Sequence, residues 1–246
     1  MDAYVIGYII SGIVIILAII IALVAQVRVN SAFNEYNDKL SSLDMTGAEL
    51  AQKLSNDNNM NLTVRMCGGH LSDHYDPRDN SINISQSNYS SKSIASQAIV
   101  AHEFGHALQH AEGYAPFKIR QAVVKISNIV SSMLMPLLIL GILLQIFLLG
   151  IAGMVIIYVS VAIYGVAVIA NLATLPVEIN ASSRAKKLML DLGCNSDEEI
   201  HATDKVLNAA ALTYVASLLV SLAYFARFLF MMLMVTKRDW FEIEEL

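Results

Sequence analysis

Charge is scarce in this sequence: 15% of its 246 residues are Asp, Glu, Lys or Arg, while 56% are hydrophobic. That balance excludes an ordinary soluble domain and makes the lipid bilayer part of the solvent. A basic excess is also lacking. With 16 Lys+Arg against 21 Asp+Glu, a formal net charge of −5, there is no positive field for a phosphate backbone, and nucleic acid is set aside as a partner. The acidic excess is too small to drive disorder. Cysteine is nearly absent: Cys67 and Cys194 form neither a CxxC pair nor a disulfide framework, which removes cysteine chemistry from consideration. Internal repeats and low-complexity tracts are missing too.

What the chain has in quantity is uncharged length. Positions 3–27 hold 25 residues without a charge, enough at about 1.5 Å per residue to cross roughly 30 Å of hydrocarbon. The start, Met1-Asp2-Ala3-Tyr4, lacks the basic residues of a signal peptide, so this run reads as an uncleaved anchor. Positions 126–177 form an uncharged run of 52 residues, which suits two spans with a turn at Gly141, Gly150 or Gly153, the stretch 150–153 dividing it most evenly. The third run, 206–235, is interrupted only by Arg227, which snorkels to an interface or, alternatively, pairs inside the bundle.

The organisation expected is therefore a first transmembrane helix in 1–27, a polar region in 28–125, transmembrane helices two and three in 126–177, polar helices in 178–205, a fourth transmembrane helix in 206–235 and an acidic tail in 236–246. Two crossings separate the polar regions, so both lie on one side of the membrane. Thirteen of the 16 basic residues sit there, and the positive-inside rule makes that side cytoplasmic in a multi-pass plasma-membrane protein. Lys237 and Arg238 count the other way.

Within the polar regions, Thr46-Gly47-Ala48-Glu49 fits a capping box opening a helix to about Asn56, and Ser196-Asp197-Glu198-Glu199 fits a second. Leu62, Val64 and Met66 alternate as a half-buried strand does, Gly68-Gly69 closes it, and Asp76-Pro77-Arg78-Asp79-Asn80 is turn chemistry before a second strand at Ile82 and Ile84. A short antiparallel sheet is expected. Positions 93–112 read as a helix polar enough to stand outside lipid and stopped by Gly113, and a further helix over 175–192 is stopped by Gly193.

The 93–112 helix contains Ala101-His102-Glu103-Phe104-Gly105-His106. On a helix His102 and His106 differ by about 40° around the axis and about 6 Å along it, so both imidazoles reach one ion roughly 2.0–2.1 Å away. Glu103 stands one residue off that stripe, placed to act as a general base on water at the metal. Composition alone gives roughly 0.006 such motifs in a shuffled chain, which argues against accident. A catalytic zinc commonly takes three protein ligands. His110 would lie about 12 Å along the axis and 80° round from His102, out of reach of the same ion. Glu178, a lone carboxylate at the end of the second apolar run on the same side of the membrane, is the better third ligand; its alternative is a helix-start acid favoured by the helix dipole. His70 and His74 share i, i+4 spacing, but the glycines before them and Asp76-Pro77 after argue against a helix. With Tyr75 they line a cleft, satisfy loop backbone, stabilise an oxyanion or hold a second metal. His201 reads as a surface residue.

On these segments, together with Gly69-His70-Leu71-Ser72-Asp73-His74-Tyr75-Asp76-Pro77-Arg78, Leu175-Pro176-Val177-Glu178 and Val206-Leu207-Asn208-Ala209-Ala210-Ala211-Leu212-Thr213-Tyr214, nearly the whole chain resembles the YugP-like bacterial membrane zinc metallopeptidases. The resemblance implies a mainly α membrane protein of about four transmembrane helices with a small α+β zincin-like catalytic domain. It also implies a gluzincin-like Zn2+ site with His102 and His106 as ligands, Glu103 as base and Glu178 as the downstream glutamate. Asn180 departs from the aspartate expected in its segment.

Two alternatives stand beside the membrane-anchored endopeptidase. One is a site-2-type protease with zinc inside the bilayer, against which Lys92, Glu112 and Lys118 flank the motif; the other is a catalytically silent scaffold with a structural zinc. The substrates expected are membrane proteins or apolar peptides cut near the cytoplasmic interface with weak residue specificity, the free edge of the Ile82–Ile84 strand receiving an extended chain. Nothing in the sequence sets an oligomeric state.

Overall fold

The computed structural model describes residues 3–147 and 150–244, and helices dominate it. The elements are α1 (Ala3–Asn37), α2 (Gly47–Asp57), β1 (Thr63–Cys67), β2 (His74–Asp76), β3 (Ser81–Ser85), α3 (Gln86–Tyr89), α4 (Ile94–Ala111), α5 (Ala115–Phe147), α6 (Gly150–Asp191) and α7 (Asp197–Glu244). Among the described residues three helices are long and apolar enough to cross a membrane, over 3–37, 151–191 and 197–234. The described apolar part of α5, Pro136–Gln145, is shorter, so a fourth crossing rests on the sequence alone. Positions 148 and 149, between the end of α5 and Gly150 at the start of α6, where the break in the second apolar run is expected, and the last two residues of the acidic tail lie outside the described residues.

The chain divides into two compact units. In the first, formed by 1–23, 119–174 and 215–246, Arg227 pairs inside the bundle instead of snorkelling: its guanidinium donates to the Tyr8 hydroxyl at 2.7 Å and to the Tyr8 carbonyl at 3.2 Å, and lies 3.9 Å from the ring centroid. A charge in an apolar segment needs such partners. Gly141 and Gly153 do not break the second apolar run; both lie inside helices. A Cβ at Gly153 would stand 2.5 Å from the Gln145 amide nitrogen, so the glycine permits α5 and α6 to approach at backbone distance.

The second unit, 24–118 and 175–214, carries the polar chemistry. Both capping boxes form. The Glu49 amide donates to the Thr46 hydroxyl while the Glu49 carboxylate accepts from the Thr46 amide at 2.8 Å, and Ser196 and Glu199 repeat the exchange at the start of α7. Ser93 caps α4 by accepting from the Ser96 amide, and Gly113, at φ +67°, takes the left-handed conformation that ends it. Phe104 of α4, Leu50 and Leu54 of α2, and Ile82 and Ile84 of β3 interlock in one buried core.

The sheet is mixed, not antiparallel, in the order β1-β3-β2. The turn at 77–80 folds β2 back on β3, pairing Tyr75 with Ile82, so β1 takes the other side of β3 and runs parallel to it, Thr63 opposite Ser81. The Ile82–Ile84 strand is consequently central and offers no free edge. Nor does Glu178 begin a helix: α6 runs through Pro176 without a break, which puts Glu178 in its interior.

Where α4 crosses α6, Gly105 lies against Ala181, and a Cβ on Gly105 would stand 2.8 Å from the Ala181 carbonyl oxygen, a backbone atom that cannot swing aside. Gly105→Ala is expected to push the two helices apart and destabilise the fold by about 1–3 kcal/mol, measured as a lower midpoint in denaturant unfolding of the detergent-solubilised protein against wild type.

Candidate metal centre

The α-helical repeat puts His102 and His106 on one stripe of α4, and the α4–α6 crossing brings Glu178 over both. Glu178 Oε2 lies 3.1 Å from His102 Nε2 and 3.4 Å from His106 Nε2. One ligand atom from each residue falls within 4.8 Å of the others, and this is the one such group of three or more His, Cys, Asp or Glu side chains among the described residues. All three are buried, Glu178 to 1% exposure.

The far nitrogens of the imidazoles are also engaged. His102 Nδ1 meets the Ser182 hydroxyl at 3.2 Å and His106 Nδ1 meets Gln109 Oε1 at 3.0 Å, leaving each Nε2 turned to Glu178. The Gln109 amide donates in turn to the Val177 carbonyl at 2.8 Å and to Asn180 Oδ1 at 2.9 Å. Asn180 also accepts from Arg184, whose guanidinium forms a two-pronged pair with Glu112 at 2.6 and 2.7 Å. The asparagine that departs from the expected aspartate therefore still acts as an acceptor at both contacts.

A zinc ion fits this donor set. Ligand atoms about 2.0–2.1 Å from a tetrahedral ion stand about 3.3–3.4 Å apart, close to the 3.1 and 3.4 Å seen between Glu178 and the two imidazoles. Hydrogen-bonded far nitrogens are the usual support of metal-binding histidines. Burying a carboxylate so completely costs several kcal/mol unless positive charge accompanies it, and a dication at the convergence of the three atoms would supply that charge.

Glu103 stands beside this group. Its Oε2 accepts from the Tyr75 amide on β2 at 2.9 Å, and burial pushes its carboxyl above the ordinary value while the nearby His106 and His102 pull the other way. For His106, burial favours the neutral ring, but the Glu178 hydrogen bond and the Glu103 charge outweigh it and raise the pKa.

The remaining sequence candidates are dispersed. Tyr75 touches Glu103 through its backbone only; its hydroxyl donates to Asn80 at 2.7 Å and meets His110 Nδ1 at 2.7 Å, and burial together with Asp76 and Asp79 raises its pKa to about 12. His74 is exposed, with Nδ1 2.8 Å from the Ser72 carbonyl, and His70 is exposed with its ring edge-on to Phe33. Neither joins the three-ligand group. His201 is exposed and Cys67 and Cys194 are free thiols. Sequence reasoning did not single out Gln109, Ser182 or the Tyr75 amide. Helical spacing could have found the first two, since Gln109 is i+3 from His106 and Ser182 is i+4 from Glu178; nothing local marks the third.

A family model described as "Putative neutral zinc metallopeptidase" matches residues 11–233. Among curated proteins, the "Putative membrane protease YugP" of Bacillus subtilis (strain 168) is 38% identical over 216 residues, covering 87% of this chain and 92% of that protein. No solved structure gives a significant match. The matched span takes in α4, with both histidines and Glu103, and the part of α6 that carries Glu178, and the chain belongs to this family of neutral zinc metallopeptidases.

Proposed function

We propose that the protein is a membrane-anchored, zinc-dependent endopeptidase that cuts peptide bonds near the cytoplasmic face of the plasma membrane. The observation that carries this reading is the convergence of His102, His106 and Glu178 beside Glu103. In it, the two imidazoles and the Glu178 carboxylate hold the zinc. A zinc so held would supply Lewis-acid polarisation of a peptide carbonyl and bring the pKa of water towards 7. Glu103 is the base: the Tyr75 amide secures Oε2, leaving Oε1 to take the proton from the attacking water and return it to the leaving amine. Three protein ligands leave an open position, whereas a purely structural zinc is closed by four, which favours the enzyme over the silent scaffold. The motif helix against a small sheet accords with a zincin-like catalytic domain.

Substrate class follows from position in the chain. Glu178 comes directly after the uncharged run 126–177, so the zinc lies close to the membrane surface, and membrane proteins or apolar peptides reach it along the bilayer. The 13-of-16 basic asymmetry makes that surface the cytoplasmic one.

In purified protein, Glu103→Gln is expected to retain stoichiometric zinc by elemental analysis and to lose turnover by about 10²–10⁴-fold. Glu178→Ala is expected to lose the zinc. Zinc in both forms with no turnover in either would leave the scaffold reading in its place, and unchanged turnover in Glu103→Gln would remove Glu103 as the base. Ser87 is exposed on α3, and a cysteine engineered there should stay unlabelled by an impermeant maleimide in intact cells and react after permeabilisation; labelling without permeabilisation would reverse the topology. For access, a membrane-tethered unfolded substrate should be cut faster than its soluble form at matched concentration, and equal rates would remove the bilayer from the recognition step.

A further inference from the structure

Beside the metal centre is a cavity of about 160 Å³ whose wall includes His102 and Glu103 themselves. We propose that it receives one apolar side chain of the substrate, from leucine to phenylalanine in size, on a residue flanking the bond that is cut. This rests on the peptidase reading and replaces the weak residue specificity expected from sequence with a defined preference.

The rest of the wall is built for such an occupant. Phe33 of α1, Ile99 of α4, Leu71 of the 68–73 loop and Val206, Leu207 and Ala210 of α7 line it. Spacings of i+3 and i+4 on α4 and i+4 on α7 aim one stripe of each helix at the same space. Its volume is close to that of a dry apolar cavity of about 150 Å³ that accepts benzene. His102 and Glu103 line the cavity, so a side chain held in it belongs to a residue next to the reacting carbonyl.

Two further observations narrow the choice. Apart from Glu103, Asp73 is the acidic group in the wall, and a free carboxylate there would select lysine or arginine. Asp73 is instead spent on the fold: its oxygens accept from the Ser85 amide, the Ser85 hydroxyl and the Asn88 amide, each at 2.8 Å. Those bonds secure the end of the loop that carries Leu71. Leu71 itself sits at φ +52°, a left-handed conformation that leucine rarely adopts, while the neighbouring Ser72 hydroxyl closes back on the Gly68 carbonyl at 2.7 Å. Strain of this kind persists where the surroundings impose it, and here the strained residue contributes apolar wall beside Glu103.

The test uses the full chain in nanodiscs. Zinc-loaded wild type digests a pool of unfolded peptides, and mass spectrometry reads the residues on either side of each cut. Leu, Ile, Met and Phe should be enriched at least tenfold over Gly, Ala, Lys and Arg at one flanking position, the discrimination a few methylenes provide. Ala210→Phe, which fills the cavity, should cut with the preference turned at least tenfold towards Gly and Ala; Ala210→Val is the milder form if the first does not fold. Cuts without apolar preference, a preference for Lys or Arg, or unchanged specificity in a folded Ala210 variant would each overturn the proposal. Binding gives a readout free of turnover. Zinc-loaded Glu103→Gln, titrated calorimetrically with tetrapeptide amides differing only in one Phe or Gly, should bind the Phe peptide at least tenfold more tightly, and the added Ala210→Phe should erase the difference. Selective binding without cutting by wild type would refute the peptidase reading and keep the pocket; equal affinities would refute the pocket.

Discussion

A carboxylate held between two imidazoles at 1% exposure is the interaction on which the second unit depends. Desolvating Glu178 is expensive, and the cost is offset only if His102 and His106, or an ion among the three, stay in place. That requirement runs outward through the structure. The far nitrogens need Ser182 and Gln109; Gln109 needs Val177 and Asn180; Asn180 is shared with Arg184, which ends on Glu112 near solvent. Each partner lies on α4, on α6 or at the end of α4, so the whole set demands that these two helices touch. Gly105 against the Ala181 carbonyl is the backbone contact that permits it.

Glu103 is held by a different element. Its carboxylate takes the Tyr75 amide from β2, and β2 is fastened to α4 a second time through the Tyr75 hydroxyl and His110. Burial raises the phenol's pKa to about 12, so the hydroxyl keeps the proton it donates to Asn80. The small sheet thus has a chemical consequence: β3 anchors it in the core through Ile82 and Ile84, and its edge strand positions the carboxylate beside the histidines. His110, which tempts as a third ligand by spacing, serves the sheet instead.

Much of this was legible locally. Caps at Thr46, Ser93 and Ser196 and the stop at Gly113 lie where side-chain chemistry sets them, because capping involves residues three or four apart. The sequence predicts an antiparallel sheet because His74-Tyr75-Asp76 carries too little alternation to announce a strand, and without it the two apolar strands have no third partner. A separate helix over 175–192 is expected from the sequence, yet α6 runs from the apolar segment straight through Pro176 and sets Glu178 in its interior. Arg227 found the hydroxyl, carbonyl and ring of Tyr8, a residue 219 positions away.

The amino-acid sequence by itself determined the helices, the apolar runs and the pairing of His102 with His106, since these follow from helical periodicity within one segment. Only the tertiary structure decided that Glu178 meets both histidines, that Tyr75 holds Glu103, and that Leu71, Ala210 and Phe33 enclose a cavity beside them. Those contacts join residues far apart in the chain, and no local pattern encodes them. They exist because a buried charge must be compensated and because one glycine lets two helix backbones approach closely enough to do it.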